Sequence, residues 1–352
     1  MRNVAIVAFA QTPNRRRELH RNEAEMLAPV VAEVLAQVGL SRRDVDFTCS
    51  GSSDYLAGYA FSFVTAIDAL GAWPPIQESH VEGEAAWALY EAWVKMLCHE
   101  EVEIALVYGF GRQSMTSPRD LFALMNDPYL EAPLRPDAIS QAALQARALL
   151  DAGLCTERDF AEIAARNLRH AESNPLAQLS GRPDPTELLA APTIASPLRR
   201  HDCPPITDGA CAVLLAAGDR ARAICKRPAW IRGLAHRIDV QALGRRDLTR
   251  SRSARLAAEA AGAIGGRIDA AELHAPFTPQ DWILQRELEL PNDTVINPSG
   301  GIHQGNPMMG AGLVRFGEVA ARITRGEADR GVAHGTQGPC LQQNIVGVLE
   351  GE

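Results

Sequence analysis

The sequence predicts an α/β protein of two similar halves, packed as layers of sheet and helix. Three observations lead there. Short runs of buried-strand type alternate with amphipathic helix patterns. The order of these elements occurs twice, with equivalent elements about 225 residues apart. In both halves the loops after the strands carry polar or glycine-rich segments, and in layered α/β proteins such loops converge on a ligand.

Taken in order, residues 4–10 read as a strand, and residues 23–38 as an amphipathic helix closed by Gly39. Residues 44–49 form a second strand that enters a polar loop at 50–54. Residues 79–82 lead into a helix over 83–98, and 103–109 is the next strand. A long insertion follows, about Arg112 to Arg200, with helix patterns at 136–152 and 157–171 and proline-rich turns at 174–175 and 182–185. An insertion of this length forms a lid or substrate wall, or serves oligomer packing. Residues 203–211 then turn into a strand over 212–217. The second half repeats the order: strand 229–235, helix 252–263 stopped by Gly265-Gly266, strand 269–274, a short strand at 295–298, a glycine-rich turn, helix 310–325, strand 329–334 and closing strand 344–349. These patterns divide the chain into an N-terminal half, residues 1–227, carrying the insertion at about 112–200, and a C-terminal half, residues 228–352.

Hydrophobic content of 46% and charged content of 22% are those of a globular protein with a substantial core. A net charge of −8 and a pI near 5.7 disfavour nucleic acid and anionic membranes as main partners, since both require a basic face. Within this acidic chain, Arg199, Arg200, Arg245, Arg246, Arg250, Arg252 and Arg255 cluster in sequence. They read either as a solvated face or as contacts for a phosphate-bearing ligand. Seven cysteines at irregular spacing form neither a disulfide framework nor a metal-binding pattern, which points to a reducing cytoplasm and no metal. No apolar run reaches membrane-spanning length, so membrane insertion is not expected.

Six segments carry the chemistry. They are Val81-Glu-Gly-Glu-Ala-Ala-Trp87, Ala191-Pro-Thr-Ile-Ala-Ser-Pro-Leu-Arg199 with Ile206-Thr-Asp-Gly-Ala210, Leu273-His-Ala-Pro-Phe-Thr278, Asn297-Pro-Ser-Gly-Gly-Ile-His-Gln-Gly-Asn-Pro307 and His334-Gly-Thr-Gln-Gly-Pro-Cys-Leu-Gln-Gln-Asn344. In this order they resemble the thiolase superfamily, most closely its sterol-carrier or lipid-transfer-protein branch. The resemblance covers nearly the whole chain. It implies a duplicated half-domain in a five-layered α/β/α/β/α sandwich.

The same resemblance locates what is missing. The family's nucleophile motif is similar to Val-Glu-Gly-Ala-Cys-Ala-Ser, and here Ala85 stands at the cysteine's place. Alanine cannot form an acyl-enzyme. Glu84 at the head of that helix reads either as a base stabilised by the helix N-terminus or as an ordinary first-turn carboxylate. Trp87 replaces a small residue. The family's Gly-His-Pro turn is Gly305-Asn306-Pro307, and Asn306 donates a hydrogen bond but moves no proton near neutral pH. His274 matches a family residue that orients water or binds a thioester oxygen. Cys340 matches the C-terminal acid/base cysteine, and a thiol is able to exchange a proton with the α-carbon of a thioester. Ser299, Gly300, Gly301, His303, Gly305 and Gly338 are the expected substrate and coenzyme A contacts, with His303 also a nearby base.

The resemblance therefore implies an acyl-CoA carbon–carbon lyase without an acylating cysteine, such as a retro-aldolase acting on a β-hydroxyacyl-CoA with a steroid or similar side chain. Coenzyme A enters as part of the substrate, and no separate cofactor is expected. The implied partners are a second subunit, either identical or a thiolase paralogue, and a small zinc-ribbon/OB-fold protein. The alternative is a catalytically silent subunit of a heteromeric thiolase.

Overall fold

The computed structural model of the chain describes residues 2–71 and 74–352. The first half contributes β1 (Val4–Gln11), α1 (Glu23–Ala36), β2 (Phe47–Ser52), the short helices α2 (Asp54–Ala57) and α3 (Ser62–Ile67), β3 (Gln77–Glu82), α4 (Ala85–Cys98) and β4 (Ile104–Gly111). The insertion carries α5 (Pro118–Leu124), α6 (Ala138–Asp151), α7 (Glu157–His170), α8 (Pro185–Ala190) and a small hairpin, β5 (Thr193–Ala195) and β6 (Leu198–Arg199). It returns to β7 (Gly209–Ala217) and α9 (Gly218–Ile224). The second half contributes β8 (Ala229–Ile238), α10 (Arg252–Ala261), β9 (Ala270–Leu273), α11 (Thr278–Glu287), β10 (Val295–Ile296), α12 (Ala311–Thr324), β11 (Arg330–Gln337) and β12 (Gln343–Glu350).

Two runs of strands share one order. The run β3-β2-β4-β7-β1 is matched by β10-β9-β11-β12-β8. In each, the second strand pairs parallel with its neighbours on both sides, and the third pairs antiparallel with the fourth. The runs meet where β1 pairs with β8 at Ala5↔Trp230 and Ile6↔Ala229. β4 and β7 are buried along their whole length, as expected for strands with helices on both faces. α12 touches β1 and β7 from one run and β9 and β11 from the other, and it also packs on α4, which lies on β2 and β4. These two helices form the central layer. α1 and α9 cover the outer face of the first run, and α10 covers β8 and β12 on the second. Three apolar cores fill the spaces between these layers.

Several elements differ from expectation. Ser50, Gly51 and Ser52 are strand rather than loop, because they continue the parallel pairing of β2 with β3. That strand begins at Phe47, since residues 42–44 form a 3₁₀ turn closed by Ser41 and Asp44. α10 ends at Gly262, in the left-handed conformation at φ 72°, and not at Gly265-Gly266. α11 has no counterpart in the sequence reading. It buries Gln280, Asp281, Trp282, Ile283, Leu284 and Glu287 on several sides, so no apolar stripe marks it.

One ion pair lies inside this frame. Arg315 of α12 reaches Glu272 of β9 at 2.6 Å, with both side chains almost wholly buried. Arg315 also donates to the Ser299 hydroxyl at 2.8 Å, and Ser299 donates to Glu272 through its amide and its hydroxyl. The pair thus holds the glycine-rich turn to the central helix. Removing one partner leaves the other charge buried and bare. Arg315→Ala is expected to lower unfolding free energy by about 3–5 kcal/mol, measured by urea denaturation; a loss no larger than that of an exposed pair, about 0–1 kcal/mol, contradicts this role.

Candidate functional site

The N-termini of α4 and α12 converge on a single carboxyl group, that of Glu84. It caps α4, and its Oε2 accepts from the Ala86 amide at 2.9 Å. Its Oε1 accepts from the Gly312 and Leu313 amides of α12 at 2.7 and 3.2 Å. The Glu84 amide donates to Oε1 of Gln337 on β11 at 3.1 Å. Helix N-termini carry unsatisfied N–H groups and partial positive charge. In a thiol enzyme such groups favour a thiolate; here a glutamate takes them. Glu84 is 0% exposed. Burial pushes its pKa up to about 8, against the opposing pull of the backbone amides. The group therefore titrates close to neutrality.

Ala85 follows, also 0% exposed. Gly51 of β2 and Gly109 of β4 face it closely: a Cβ on either would approach the Ala85 methyl to 2.8 and 2.5 Å. Trp87, two residues on, is half-buried beside His236 of β8, with ring centroids 6.4 Å apart.

β11 links Glu84 to His274. The Thr336 amide, one residue before Gln337, donates to His274 Nδ1 at 3.5 Å. An Nδ1 that accepts assigns the proton of the neutral ring to Nε2, which has no protein partner among the described residues and is a donor. Burial holds the His274 pKa well below the ordinary histidine value, so the ring is neutral at pH 7. Behind it, the His274 amide donates to the His334 carbonyl at 3.2 Å. His334 Nε2 bonds Asn344 Oδ1 at 2.9 Å, while Asn344 Nδ2 donates to Ser251, Ser253 and Leu341. This fixes the amide orientation and makes His334 Nε2 the donor. The His334 pKa is lowered to about 4 by burial.

Asn306 sits in the turn before α12. Its Oδ1 accepts from the Met308 amide at 3.1 Å, which leaves its NH₂ group as the donor on offer. His303 is not a base at neutral pH. Its Nδ1 accepts from Asn167 Nδ2 of α7 at 3.1 Å, and burial lowers its pKa to about 4. The glycines expected to admit a ligand instead admit the protein itself. A Cβ at Gly300 would approach Ala171 to 2.6 Å; at Gly301, Asn297 to 2.9 Å; at Gly305, Asn14 to 2.6 Å; at Gly338, the Gln342 Cβ to 3.0 Å. Ser299 is likewise engaged with Glu272 and Arg315.

Cys340 is held by the insertion. Its thiol donates to the Gln141 carbonyl of α6 at 3.3 Å, and burial pushes its pKa up to about 12. Arg246 donates to the carbonyls of Pro339 and Cys340, holding the loop from outside. A thiol so held is a poor proton donor to carbon. The arginines that cluster in sequence are largely spent on structure: Arg199 pairs with Glu157, Arg250 with Glu287, and Arg255 with Glu259 and Glu289. Among the described residues no group of three His, Cys, Asp or Glu side chains stands close enough to hold a metal ion.

Four residues of the site were not singled out in sequence. Thr336 and Gln337 lie within the quoted segment 334–344 and carried that signal. Asn167 and Asp281 carried none. Asp281, fully buried, accepts from Arg166 of α7 at 2.9 Å and from Asn297 Nδ2 at 2.8 Å, and so ties the insertion to the glycine-rich turn.

An α/β sandwich of duplicated halves, with two helix N-termini meeting at a loop-lined site, is a thiolase-type fold. Comparison with known proteins agrees. No family model matches the sequence. The acetyl-CoA acetyltransferase of Methanothermobacter thermautotrophicus is 29% identical over 258 residues, covering 66% of this chain and 67% of that protein. The 17-hydroxy-3-oxo-4-pregnene-20-carboxyl-CoA lyase of Mycobacterium tuberculosis is 29% identical over 227 residues, covering 61% and 58%. Sterol carrier protein 2 of Bos taurus is 27% identical over 219 residues, covering 54% of this chain and 40% of its own length. Among solved structures, a chain of the Ltp2-ChsH2(DUF35) aldolase superposes with a TM-score of 0.80 at 20% identity, covering 99% of this chain and 97% of that one. The chain is similar to members of the thiolase superfamily, sterol carrier protein 2 among them. The expected thiolase fold is present.

Glu84 offers a direct test. A carboxyl whose pKa is raised by folding binds its proton more tightly in the folded chain. Its contribution is fully present below the ordinary value of 4.5 and is lost as pH rises through about 8. Relative to Glu84→Gln, which does not titrate, the wild-type stability is expected to fall with pH across that window, by about 1.4 kcal/mol per pH unit. Urea midpoints measured in steps of pH report it; a difference that stays constant with pH contradicts the raised pKa.

Proposed function

We propose that this protein cleaves or forms a carbon–carbon bond in an acyl-CoA without an acyl-enzyme, most concretely by retro-aldol cleavage of a β-hydroxyacyl-CoA with a steroid or similar side chain. The observation that carries this reading is the head of α4: alanine at the nucleophile's position, and beside it a carboxyl, Glu84, that titrates near neutrality. A base takes the substrate's hydroxyl proton, the Cα–Cβ bond breaks, and its electron pair passes into the thioester enolate as the ketone or aldehyde leaves. The enolate carbon is then protonated, so the proton lost by oxygen is regained by carbon. We assign the enolate oxygen to the donors His274 Nε2 and Asn306 Nδ2, and the proton transfer to Glu84 in preference to Cys340. Coenzyme A is carried by the substrate, and the reaction needs no other cofactor.

The names of two relatives support this reading: one is a carboxyl-CoA lyase and the other an aldolase that contains a DUF35 component. By the same likeness we assign this chain a small zinc-ribbon/OB-fold partner and a second subunit, in the cytoplasm. Bare apolar side chains support an assembly. Tyr129 and Leu134 are 86% and 81% exposed, and Tyr55, Phe61 and Leu124 also face solvent. Strand β3 is an exposed sheet edge, available for pairing with a second subunit. No helix of the described residues is long and apolar enough to cross a membrane.

A second reading rests on the burial of Glu84 and Ala85, neither of which exposes any surface. It makes the chain the silent subunit of a heteromeric thiolase, with the chemistry on a cysteine-bearing paralogue.

The two readings separate in one set of measurements on the assembled complex. Intact-mass analysis after incubation with acetyl-CoA or acetoacetyl-CoA is expected to show no acyl group on this chain, and an adduct overturns both readings. With a β-hydroxyacyl-CoA in heavy water, His274→Ala is expected to slow cleavage by about 10²–10³. Glu84→Gln is expected to abolish deuterium incorporation at the product α-carbon, and Cys340→Ser to leave it intact. Full turnover in both the Glu84 and His274 variants makes this chain the silent subunit.

A further inference from the structure

The amide that opens α4 is served from the far end of the chain. A helix cap is commonly closed by a Glu or Gln at the third helical position, whose side chain returns to the amide of the capping residue. In α4 the capping residue is Glu84 and the third position is Trp87, whose indole has no acceptor. Gln337 of β11 does this work instead, from 253 residues further along the chain: its Oε1 accepts the Glu84 amide at 3.1 Å. Gly83 leaves room for the approach. Its φ of 147° is one that side-chain-bearing residues rarely adopt, and a Cβ there would stand 2.7 Å from the Gln337 Oε1.

The carboxamide has one orientation. Gln337 faces Gln343 across the last pair of the β11–β12 ladder, and its Nε2 donates to the Gln343 Oε1 at 2.8 Å. Turned over, that Nε2 would meet the Glu84 N–H, donor against donor. The Thr336 hydroxyl donates to the Gln343 carbonyl at 2.8 Å and steadies the opposite strand. Glu84 is therefore gripped at both ends, its amide by Gln337 and its carboxyl by the Ala86, Gly312 and Leu313 amides. Gln337 and Gln343 are half-buried, whereas Glu84 is 0% exposed, so the two carboxamides link the surface to the buried carboxyl. From β7, Cys211 also feels the Glu84 charge. Burial first, and that charge second, push its thiol above the ordinary range, so it stays neutral.

We propose that Gln337, oriented by Gln343, is the positioning residue of this site: it completes the cap of α4 and thereby holds the Glu84 carboxyl against both helix heads. Its meaning for catalysis rests on the lyase reading, in which Glu84 moves the proton. Gln337 itself touches neither the substrate nor the reacting atoms. It acts through Glu84, by fixing where the carboxyl stands and by keeping water from it.

The test follows the titration of Glu84 in the full chain without substrate, by the infrared C=O band of its protonated carboxyl, which Glu84→Gln removes. In Gln337→Ala the cap opens to water and the burial that raises the Glu84 pKa is relieved. Its midpoint is expected to fall from about 8 by about one pH unit or more, roughly a tenfold loss of proton affinity. Gln337→Glu keeps an acceptor for the Glu84 amide, and the Gln343 amide turns to donate to it. Added negative charge favours the protonated form, so its midpoint is expected at or above the wild-type value. Gln343→Ala frees Gln337 to turn and is expected to lower the midpoint, by less than Gln337→Ala does. With a β-hydroxyacyl-CoA and the assembled complex, Gln337→Ala is expected to lower kcat about tenfold at unchanged KM. An unchanged midpoint in Gln337→Ala, or an equal fall in Gln337→Glu, overturns the proposal. Where Gln337→Ala does not fold, Gln343→Ala decides, and a wild-type midpoint there overturns it. The expected midpoints in a complex that cleaves no substrate uphold the positioning role and overturn the lyase reading instead.

Discussion

Two central helices begin at the same place, and the rest of the site is arranged around what satisfies their N-termini. α4 belongs to the first half of the fold and α12 to the second, yet their free amides share the Glu84 carboxyl. That contact dictates small residues around it. A Cβ at Gly335 would stand 3.3 Å from the carboxylate, and Gly312 offers its amide directly to it. It also aligns β11, because Gln337 receives the Glu84 amide and Thr336, one residue earlier, donates its amide to His274.

This arrangement explains how a thiolase-type frame is closed at its two helix heads by a carboxyl group. Helix N-termini attract an anion whatever its chemistry. The Glu84 carboxyl fills that role from within the chain, so the amides are not left unsatisfied. The groups that remain are donors and neutral rings. His274, His303 and His334 are all held below the ordinary histidine pKa by burial. Such a site is better suited to stabilising a developing oxyanion than to covalent exchange.

The insertion is integral to this site. α7 lends Asn167 to His303 and Arg166 to Asp281, and α6 receives the Cys340 thiol. The loops of the C-terminal half are therefore clamped from the insertion side as well as by the Arg315–Glu272 pair beneath them. Their glycines reflect the density of this packing.

The duplication and the alternation of strands and helices within each half were legible in the sequence, because each rests on local pattern along the chain. So was the placement of Glu84 at a helix head. What the sequence left undetermined was which neighbours each polar group would meet. Cys340 reads as an acid until α6 is brought against it; His303 reads as a base until Asn167 takes its lone pair. Gly300 and Gly305 read as ligand contacts until Ala171 and Asn14 fill the space above them. The partners involved lie more than a hundred residues away in the chain. Hydrogen bonding, desolvation and steric contact act through space, so only the tertiary structure decided which titratable groups stay neutral, which donors stay free, and that one carboxyl serves two helices.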